Sequence, residues 1–275
     1  MIIGKAISPF ALRKKNGGGG GGTDPDAQAF ITASGISGTE ATATNQLVVD
    51  LKSANIWTKM KAVYPFVGST SASQKYNLKD ARDLDAAYRL TFFGGGTFSS
   101  NGYQPNGTNS YANTFFTPSV NGTLNSSHLS FYSWTNNVGT YADMGGNGTG
   151  STNDSYFQIL SKWSDNSLYA MVNDTDFTTN VVTNSLGLML GSRTASNVSK
   201  SYRNGVVVTS KTAASISRPA KNVIIGARNN AADGILNYSN RQCAFASIGD
   251  GLTDAEALAF YNAVQLFNTT LNRQV

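Results

Sequence analysis

The chain has 275 residues, of which 40% are hydrophobic and only 13% are charged, and its formal net charge is +5. This hydrophobic fraction excludes intrinsic disorder for most of the chain, and the abundance of Gly, Asn, Ser and Thr favours tight turns and β-strands over exposed helices. Four of the 21 Lys and Arg residues precede Asp24, the first acidic residue, so the other 17 nearly balance the 16 acidic residues. Beyond the N-terminus, the sequence therefore lacks the clustered basic charge that nucleic-acid binding requires.

Residues 1–22 are predicted to form an arm and a tether. The run from Gly17 to Gly22 has no side chains to pack and is typical of a flexible linker. The arm before it contains apolar residues that a purely solvating tail would not need, so we expect it to dock on a partner protein; a disordered leader is the alternative. The residues of this assembly arm are Ile2, Ile3, Ile7, Phe10, Leu12, Arg13, Lys14 and Lys15.

The arm lacks the continuous apolar core of a signal peptide. No apolar run in the chain approaches the ~20 residues of a membrane span. We therefore expect the chain to be made in the cytoplasm, with no membrane insertion.

Residues 23–60 are predicted to form a pair of helices that packs on the rest of the domain. Asp24 followed by proline combines a cap residue with proline at the first helical position, and this helix is expected to continue until Gly35. A second helix is predicted from about Thr39 to Ala54, because apolar residues there recur at three- and four-residue spacing.

From Lys61 to Ser247 the apolar period changes to two, which indicates β-strands. Many short alternating strands separated by turn residues favour a sandwich or barrel. Asn204-Gly205 is the clearest turn, because both residues tolerate the positive φ of a type I′ hairpin. The alternating runs begin at Tyr88, Leu129, Phe157, Leu168 and Leu186, and further turns are predicted at Asn106-Gly107, Asn121-Gly122 and Gly145-Gly146.

The chain is predicted to close with a helix, so the sandwich and this helix would form one unit over residues 61–275. Thr253 and Glu256 have the spacing of a capping box, in which each side chain satisfies a free amide at the helix start. The expected buried stripe of this helix is Ala257, Phe260, Tyr261, Val264 and Phe267.

Several stretches resemble known families. Leu188 to Thr194, the Tyr202-Arg-Asn-Gly205 hairpin and Asn222 to Arg228 are similar to the late strands of laminin-G-like, concanavalin-A-like jelly rolls. The ending Phe245 to Ala257, with Val63-Tyr-Pro-Phe66 and Leu47-Val-Val-Asp-Leu51, resembles sandwich modules of tail, fibre and head-decoration proteins of bacteriophages, especially those that infect gut Bacteroidota. The resemblance covers residues 24–275. It implies an all-β, two-sheet antiparallel jelly-roll sandwich with the helical pair and the C-terminal helix attached.

The resemblance also implies a virion structural protein, and a non-enzymatic role is expected because the sequence offers no catalytic arrangement of residues. In this interpretation an appendage or decoration subunit, made in the host cytoplasm, displays its jelly roll outside the particle and serves host-surface attachment. Its arm would dock into other virion proteins. Because phage appendages are usually symmetric oligomers, a homotrimer is expected by analogy.

A glycoside hydrolase is the least favoured function. Retaining glycosidases need two carboxyl groups about 5 Å apart, and the only glutamates, Glu40 and Glu256, are both predicted to lie in helices.

The single histidine and the single cysteine are expected to have structural roles. His128 is predicted to be a hydrogen-bonded strand residue, and Cys243 is predicted to be a small buried thiol.

A glycan-binding, lectin-like adhesion domain is the main alternative to a purely structural role. Lectin sites stack a sugar on an aromatic ring and satisfy its hydroxyls with amide and carboxylate groups. The candidates are Tyr103, Tyr111, Trp134, Tyr141, Trp163, Asn136 and Asn137, with Asn106 and Asn166 beside them. For each ring, an ordinary place in an aromatic core is the competing interpretation. No cofactor is expected; some laminin-G-like domains bind calcium through loop carboxylates, and Asp143 and Asp233 are the weak candidates for such a site.

Overall fold

Two β-sheets, each mainly antiparallel, form the bulk of the protein, whose computed structural model describes residues 22–148 and 155–275. The predicted assembly arm lies outside the described residues. The helices are Pro25–Ser34 (α1), Gly38–Ser53 (α2), Ser71–Gln74 (α3), Pro118–Asn121 (α4) and Asp254–Thr270 (α5). The strands are Met60–Tyr64 (β1), Thr91–Phe93 (β2), Thr97–Ser99 (β3), Gly102–Gln104 (β4), Tyr111–Asn113 (β5), Ser127–Ser133 (β6), Met144–Asn147 (β7), Tyr156–Leu160 (β8), Ser167–Asp174 (β9), Asn180–Val181 (β10), Gly187–Ala195 (β11), Val198–Arg203 (β12), Val206–Lys211 (β13), Ile224–Ile225 (β14), Arg228–Asn230 (β15), Gly234–Leu236 (β16) and Cys243–Gly249 (β17).

The strand order places sequence-distant strands side by side. Within the described residues, the first sheet has the order β13-β12-β11-β6-β17-β4-β3, with β1 also paired to β17. The second sheet has the order β10-β9-β8-β7-β14-β5-β2, and the β15–β16 hairpin joins it through β7. The predicted two-sheet sandwich, with its N-terminal helical pair and C-terminal helix, is confirmed.

Strands β1, β6, β11 and β17 of the first sheet each contribute to two cores, because successive side chains point to opposite faces. On the inner face, Phe131 and Met189 pack against residues of the second sheet such as Phe157. On the other face, Tyr132 and Leu188 pack against α1, α2 and α5. The helices therefore lie on the first sheet, and the sandwich has three layers. No helix among the described residues is long and apolar enough to cross a membrane.

The local signals at helix ends and in the hairpin are confirmed. The Asp24 side chain accepts from the Asp26 amide at the start of α1. Glu256 and Thr253 form the reciprocal capping box of α5. Asn204 and Gly205 have φ values of 50° and 76°, as a type I′ turn between β12 and β13 requires.

Two strand and turn predictions are wrong. Tyr88 is not in a strand but has left-handed backbone with φ of 58°, so β2 begins only at Thr91. Gly145-Gly146 is not a turn but lies within β7. A Cβ atom on Gly145 would be 2.6 Å from the Gln158 Cβ, so the glycine is there because the neighbouring strand approaches closely.

Candidate functional site

Five connecting segments meet at one end of the sandwich, which we call the loop end. Strands bring them together from both sheets, and hydrogen bonds join each segment to at least one other. The segments are residues 105–110, 134–143, 161–166, 182–186 and 237–242.

A buried ion pair organises the loop end. Arg241 Nη1 donates to both carboxylate oxygens of Asp143, at 3.0 and 2.9 Å, and both side chains are 0% exposed. Arg241 Nη2 donates to the carbonyl oxygens of Asn137, at 3.1 Å, and Lys162, at 2.5 Å. One guanidinium therefore ties its own segment to two other segments, which gives the loops a rigid base.

Asp143 is not available to a metal ion, and its nomination as a calcium ligand is corrected. Besides Arg241, its carboxylate accepts hydrogen bonds from the Ser161 amide, at 2.7 Å, and the Ser239 hydroxyl, at 2.8 Å. Asp233 is exposed in the turn between β15 and β16. The described part of the chain contains no group of three or more His, Cys, Asp or Glu residues that could hold a metal.

Two half-buried aromatic residues lie in the segments that this ion pair joins. The Arg241 Cζ atom lies 5.2 Å from the ring centroid of Tyr141, a cation–π contact that holds the ring in place. Gly139 packs against the same ring, since a Cβ there would be 2.4 Å from Tyr141 Cε2. Trp163 directly follows Lys162, whose carbonyl binds Arg241, and its side chain is also half-buried.

The same segments also carry amide side chains. Asn136 and Asn166 are exposed. The Asn136 Oδ1 atom accepts from the Ser185 amide at 3.2 Å, and Asn137 Nδ2 donates to Asn240 Oδ1 at 2.5 Å. Asn136 thus has its oxygen fixed by the protein, and its amide nitrogen has no partner among the described residues, so it can donate to a ligand.

The third aromatic candidate of this region, Trp134, follows β6 directly and donates its backbone N–H to the Gln242 carbonyl at 2.9 Å. Its side chain is half-buried, and its indole N–H has no hydrogen-bond partner within residues 22–148 and 155–275. The structure thus brings five of the seven predicted ligand contacts to the loop end, namely Trp134, Asn136, Asn137, Tyr141 and Trp163, together with Asn106 and Asn166.

Tyr103 belongs to the core, and its nomination as a ligand contact is corrected. It is 0% exposed, because β4 pairs with β17 and turns this side chain towards the second sheet. Its ring lies 5.0 Å from that of Phe92 and 5.3 Å from that of Phe98. Tyr103 therefore occupies an ordinary place in the aromatic core, which was the alternative to ligand binding for each candidate ring.

Tyr111 lies on the outer face of β5 and is half-buried. Its ring stacks on that of Phe93, with 4.9 Å between centroids and an interplanar angle of 18°. Burial, and then the neighbouring Tyr238 phenol, raise the pKa of Tyr111 above its ordinary value. Because Tyr238 forms a β-bridge with Ala142, this aromatic surface continues towards the loop end.

Phe93 and Tyr238 were not predicted from the sequence. The adjacent pair Phe92-Phe93 was the available signal, because two successive residues of a strand place their rings on opposite faces.

The two glutamates are both engaged in structural contacts. Glu40 Oε1 accepts from the Gly68 amide at 2.8 Å. Glu256 caps α5 and pairs with Lys59 Nζ at 2.6 Å. Neither residue belongs to the loop end.

His128 and Cys243 have the structural roles predicted for them. His128 is buried in β6, where Nδ1 lies 2.6 Å from the Asp250 carbonyl oxygen and Nε2 lies 3.1 Å from Ser247 Oγ. Burial lowers the pKa of His128 to about 4. Cys243 is a free, buried thiol, and burial raises its pKa well above the ordinary value.

Comparison with solved structures finds β-sandwich domains. A Trypanosoma rangeli sialidase mutant displaying trans-sialidase activity aligns with a TM-score of 0.56 and 9% identity, over 82% of this chain and 39% of that chain. Domain 4 of a GH43 extracellular arabinanase from Geobacillus stearothermophilus, in complex with arabinotriose, aligns with a TM-score of 0.47 and 14% identity, over 74% of this chain and 98% of that chain. Botulinum neurotoxin type C, described as entering cells through interaction with two ganglioside molecules, aligns with a TM-score of 0.49 and 12% identity, over 78% of this chain and 53% of that chain.

These similarities concern the fold. The chain spans well under two thirds of the sialidase and of the neurotoxin, and every identity is low. No protein-family model and no curated protein matches the sequence. The structure is thus a two-sheet β-sandwich, and any function has to be argued from the site itself.

Proposed function

We propose that the chain is a glycan-binding, lectin-like adhesion domain that contacts its ligand with the loop end. One observation carries this proposal: at the loop end, Arg241 joins the segment that holds Asn136 and Tyr141 to the segment that holds Trp163 and Asn166. Tyr141 and Trp163 are half-buried, and Asn136 and Asn166 are exposed. Such rings stack on the apolar face of a sugar, and amides satisfy its hydroxyl groups. The fold that the chain shares with part of a sialidase is compatible with this role.

The buried base of the loop end supports binding at low entropic cost. Arg241 fixes the Tyr141 ring and two loop carbonyls, so these groups need little further ordering when a ligand binds. The geometry favours binding over hydrolysis, since the loop-end carboxylates Asp143 and Asp165 are already hydrogen-bonded, to Arg241 and to the Tyr169 hydroxyl. We therefore propose a non-enzymatic role.

The test is binding of the full chain to a glycan array, followed by calorimetry on the best ligand. Trp163→Ala and Tyr141→Ala should each weaken binding about 10-fold, because each removes one stacking surface. Tyr261→Ala is the matched control, since this half-buried tyrosine lies on α5 against the tip of the β12–β13 hairpin. Absence of glycan binding, or equal binding by the loop-end variants, would overturn the proposal. Release of reducing sugar from a bound glycan would contradict the non-enzymatic role.

Display of this domain on a bacteriophage particle is a further part of the proposal, supported by the sequence resemblance and by the apolar and basic arm. The expected arrangement is an outward sandwich, trimeric by analogy, with the arm docked on another virion protein. Cryo-electron microscopy of the particle that encodes the chain, with and without residues 1–22, tests it. The truncated protein should fold but fail to incorporate into the particle. Normal incorporation would contradict the proposal that residues 1–22 tether the domain to another virion protein.

A further inference from the structure

A second aromatic surface lies on the outer face of the second sheet, on β8 and β9. Phe177, in the segment that follows β9, is 45% exposed. Its ring makes T-shaped contacts with Tyr156, at 5.0 Å between centroids, and Tyr169, at 5.9 Å. Tyr169 is itself held by Asp165, which accepts its hydroxyl hydrogen bond at 2.6 Å. An exposed ring is thus fixed by two tyrosines on a rigid sheet.

Arg228 lies on β15, which pairs with β7 next to β8, the strand that carries Tyr156. It is a half-buried cation. Its Nε atom is buried, and within residues 22–148 and 155–275 the guanidinium has no hydrogen bond and no ion pair. Tyr156 and Asp233 are the groups close enough to affect its charge electrostatically. Burial lowers the pKa of Arg228, as expected for a desolvated cation.

Among the described residues, the three fully buried arginines donate hydrogen bonds from both of their Nη atoms, whereas Arg228 donates none. An Nε atom without a partner is not peculiar to Arg228, since Arg203 and Arg241 share it. Arg193 donates to Asp174 and to backbone carbonyls, and Arg241 pairs with Asp143. Arg273 donates to five neutral acceptors, including the Pro65 and Ala244 carbonyls. A desolvated guanidinium without acceptors destabilises the folded state. Such a local conflict is characteristic of a functional site, where a ligand supplies the missing partner.

We propose that Arg228 and Phe177 form a second saccharide site, which selects acidic sugars. The guanidinium pairs with the carboxylate or sulfate group of the sugar, for which its planar fork is well matched. The exposed Phe177 ring contacts the apolar face of the same sugar. This inference rests on the proposed glycan-binding function and deepens it, because it names the ligand class.

The test uses an array on which uronate-, sialate- and sulfate-bearing oligosaccharides each have a neutral counterpart, made by carboxyl methyl esterification or by desulfation. The full chain should bind the acidic member at least about 10-fold more tightly. Arg228→Gln should abolish this preference, Arg228→Lys should retain part of it, and Phe177→Ser should weaken binding of the acidic glycans. Whether esterification or desulfation removes binding identifies the acidic group.

Other outcomes separate this inference from the loop-end proposal. Two outcomes would overturn the proposed Arg228 site without contradicting the proposed glycan site at the loop end. The wild-type chain could bind glycans with no preference for the acidic member, or the preference could survive in Arg228→Gln. Trp163→Ala should leave the acidic preference unchanged, because Trp163 belongs to the other site. If the wild-type chain binds no glycan, both proposals fail.

A stability measurement tests the unpaired state of Arg228 without any glycan. Arg228→Gln should melt at the same temperature as the wild type or higher, because the substitution removes a desolvated charge that has no partner. Arg241→Gln is the matched control and should melt at a markedly lower temperature, since it leaves the buried Asp143 carboxylate unpaired. A comparable loss of stability in both variants would show that Arg228 is structurally paired and would overturn the inference.

Discussion

Arg241 and Asp143 are 98 residues apart in the sequence, yet they form an ion pair in which both side chains are fully buried. Removing two charges from water is costly, and this cost is offset only where the remaining donors and acceptors are also satisfied. Here the carbonyls of Asn137 and Lys162, the Ser161 amide and the Ser239 hydroxyl satisfy most of them. The pair therefore couples the stability of the fold to the shape of the loop end.

The first prediction is a strong energetic coupling between these two residues. Arg241→Met and Asp143→Leu should each lower the free energy of unfolding by about 3–5 kcal/mol, because each leaves one buried charge without its partner. The double variant should lose clearly less than the sum of the two single losses. Urea denaturation of all four proteins measures this, and additive losses would contradict the coupling.

The second prediction is that the protein loses stability in acid through His128. The folded-state pKa is about 4, whereas an unfolded His has a pKa of about 6.5. As the pH falls from 6.5 towards 4 the unfolded state binds a proton that the folded state does not, so the free energy of unfolding should decrease by about 3 kcal/mol. No change from this group is expected above pH 7.

His128→Gln provides the control, because it removes the titrating ring while carboxylates still titrate. Urea denaturation between pH 7.5 and pH 4 should show a flatter profile for this variant than for the wild type. Parallel profiles would show that His128 is not the group responsible.

Local chemistry explains which parts of the fold could be predicted from sequence. The capping box of α5 and the Asn204-Gly205 turn depend on residues within four positions of each other, and both were predicted correctly. The turn predicted at Gly145-Gly146 failed because those glycines serve the close approach of Gln158, which is a tertiary contact. Short-range signals thus predicted the α5 helix start and the hairpin turn correctly, whereas a tertiary contact made the turn prediction at Gly145-Gly146 wrong.

The candidate site was predictable only in part for the same reason. Tyr103 and Tyr111 have similar sequence surroundings, but strand pairing buries the first in the core and leaves the second stacked on Phe93. No pattern in the sequence joins Arg241 to Asp143, although this pair shapes the loop end. The residue types of the site were visible in the sequence, and their positions in space were not.

The third prediction concerns the reactivity of Cys243. The thiol is buried and burial raises its pKa, so the folded protein contains almost no thiolate there. A thiol reagent should modify Cys243 only as fast as the protein opens, and at once in denaturant. Val120→Cys, at a position that is 75% exposed, is the control and should react rapidly in the folded protein. Rapid modification of the wild type would contradict the buried position.

The fourth prediction separates steric contact from backbone strain at two glycines that both have positive φ. Gly102 on β4 has φ of 114°, and a Cβ there would lie 2.0 Å from the Cys243 carbonyl oxygen. Gly102→Ala should therefore force β4 away from β17 and lower the free energy of unfolding by about 3 kcal/mol or more. Gly234 has φ of 79° but no atom within 4 Å of its Cβ position, so Gly234→Ala should cost only about 1–2 kcal/mol of strain. Urea denaturation compares the two, and equal losses would show that the β4–β17 contact is looser than the structure describes.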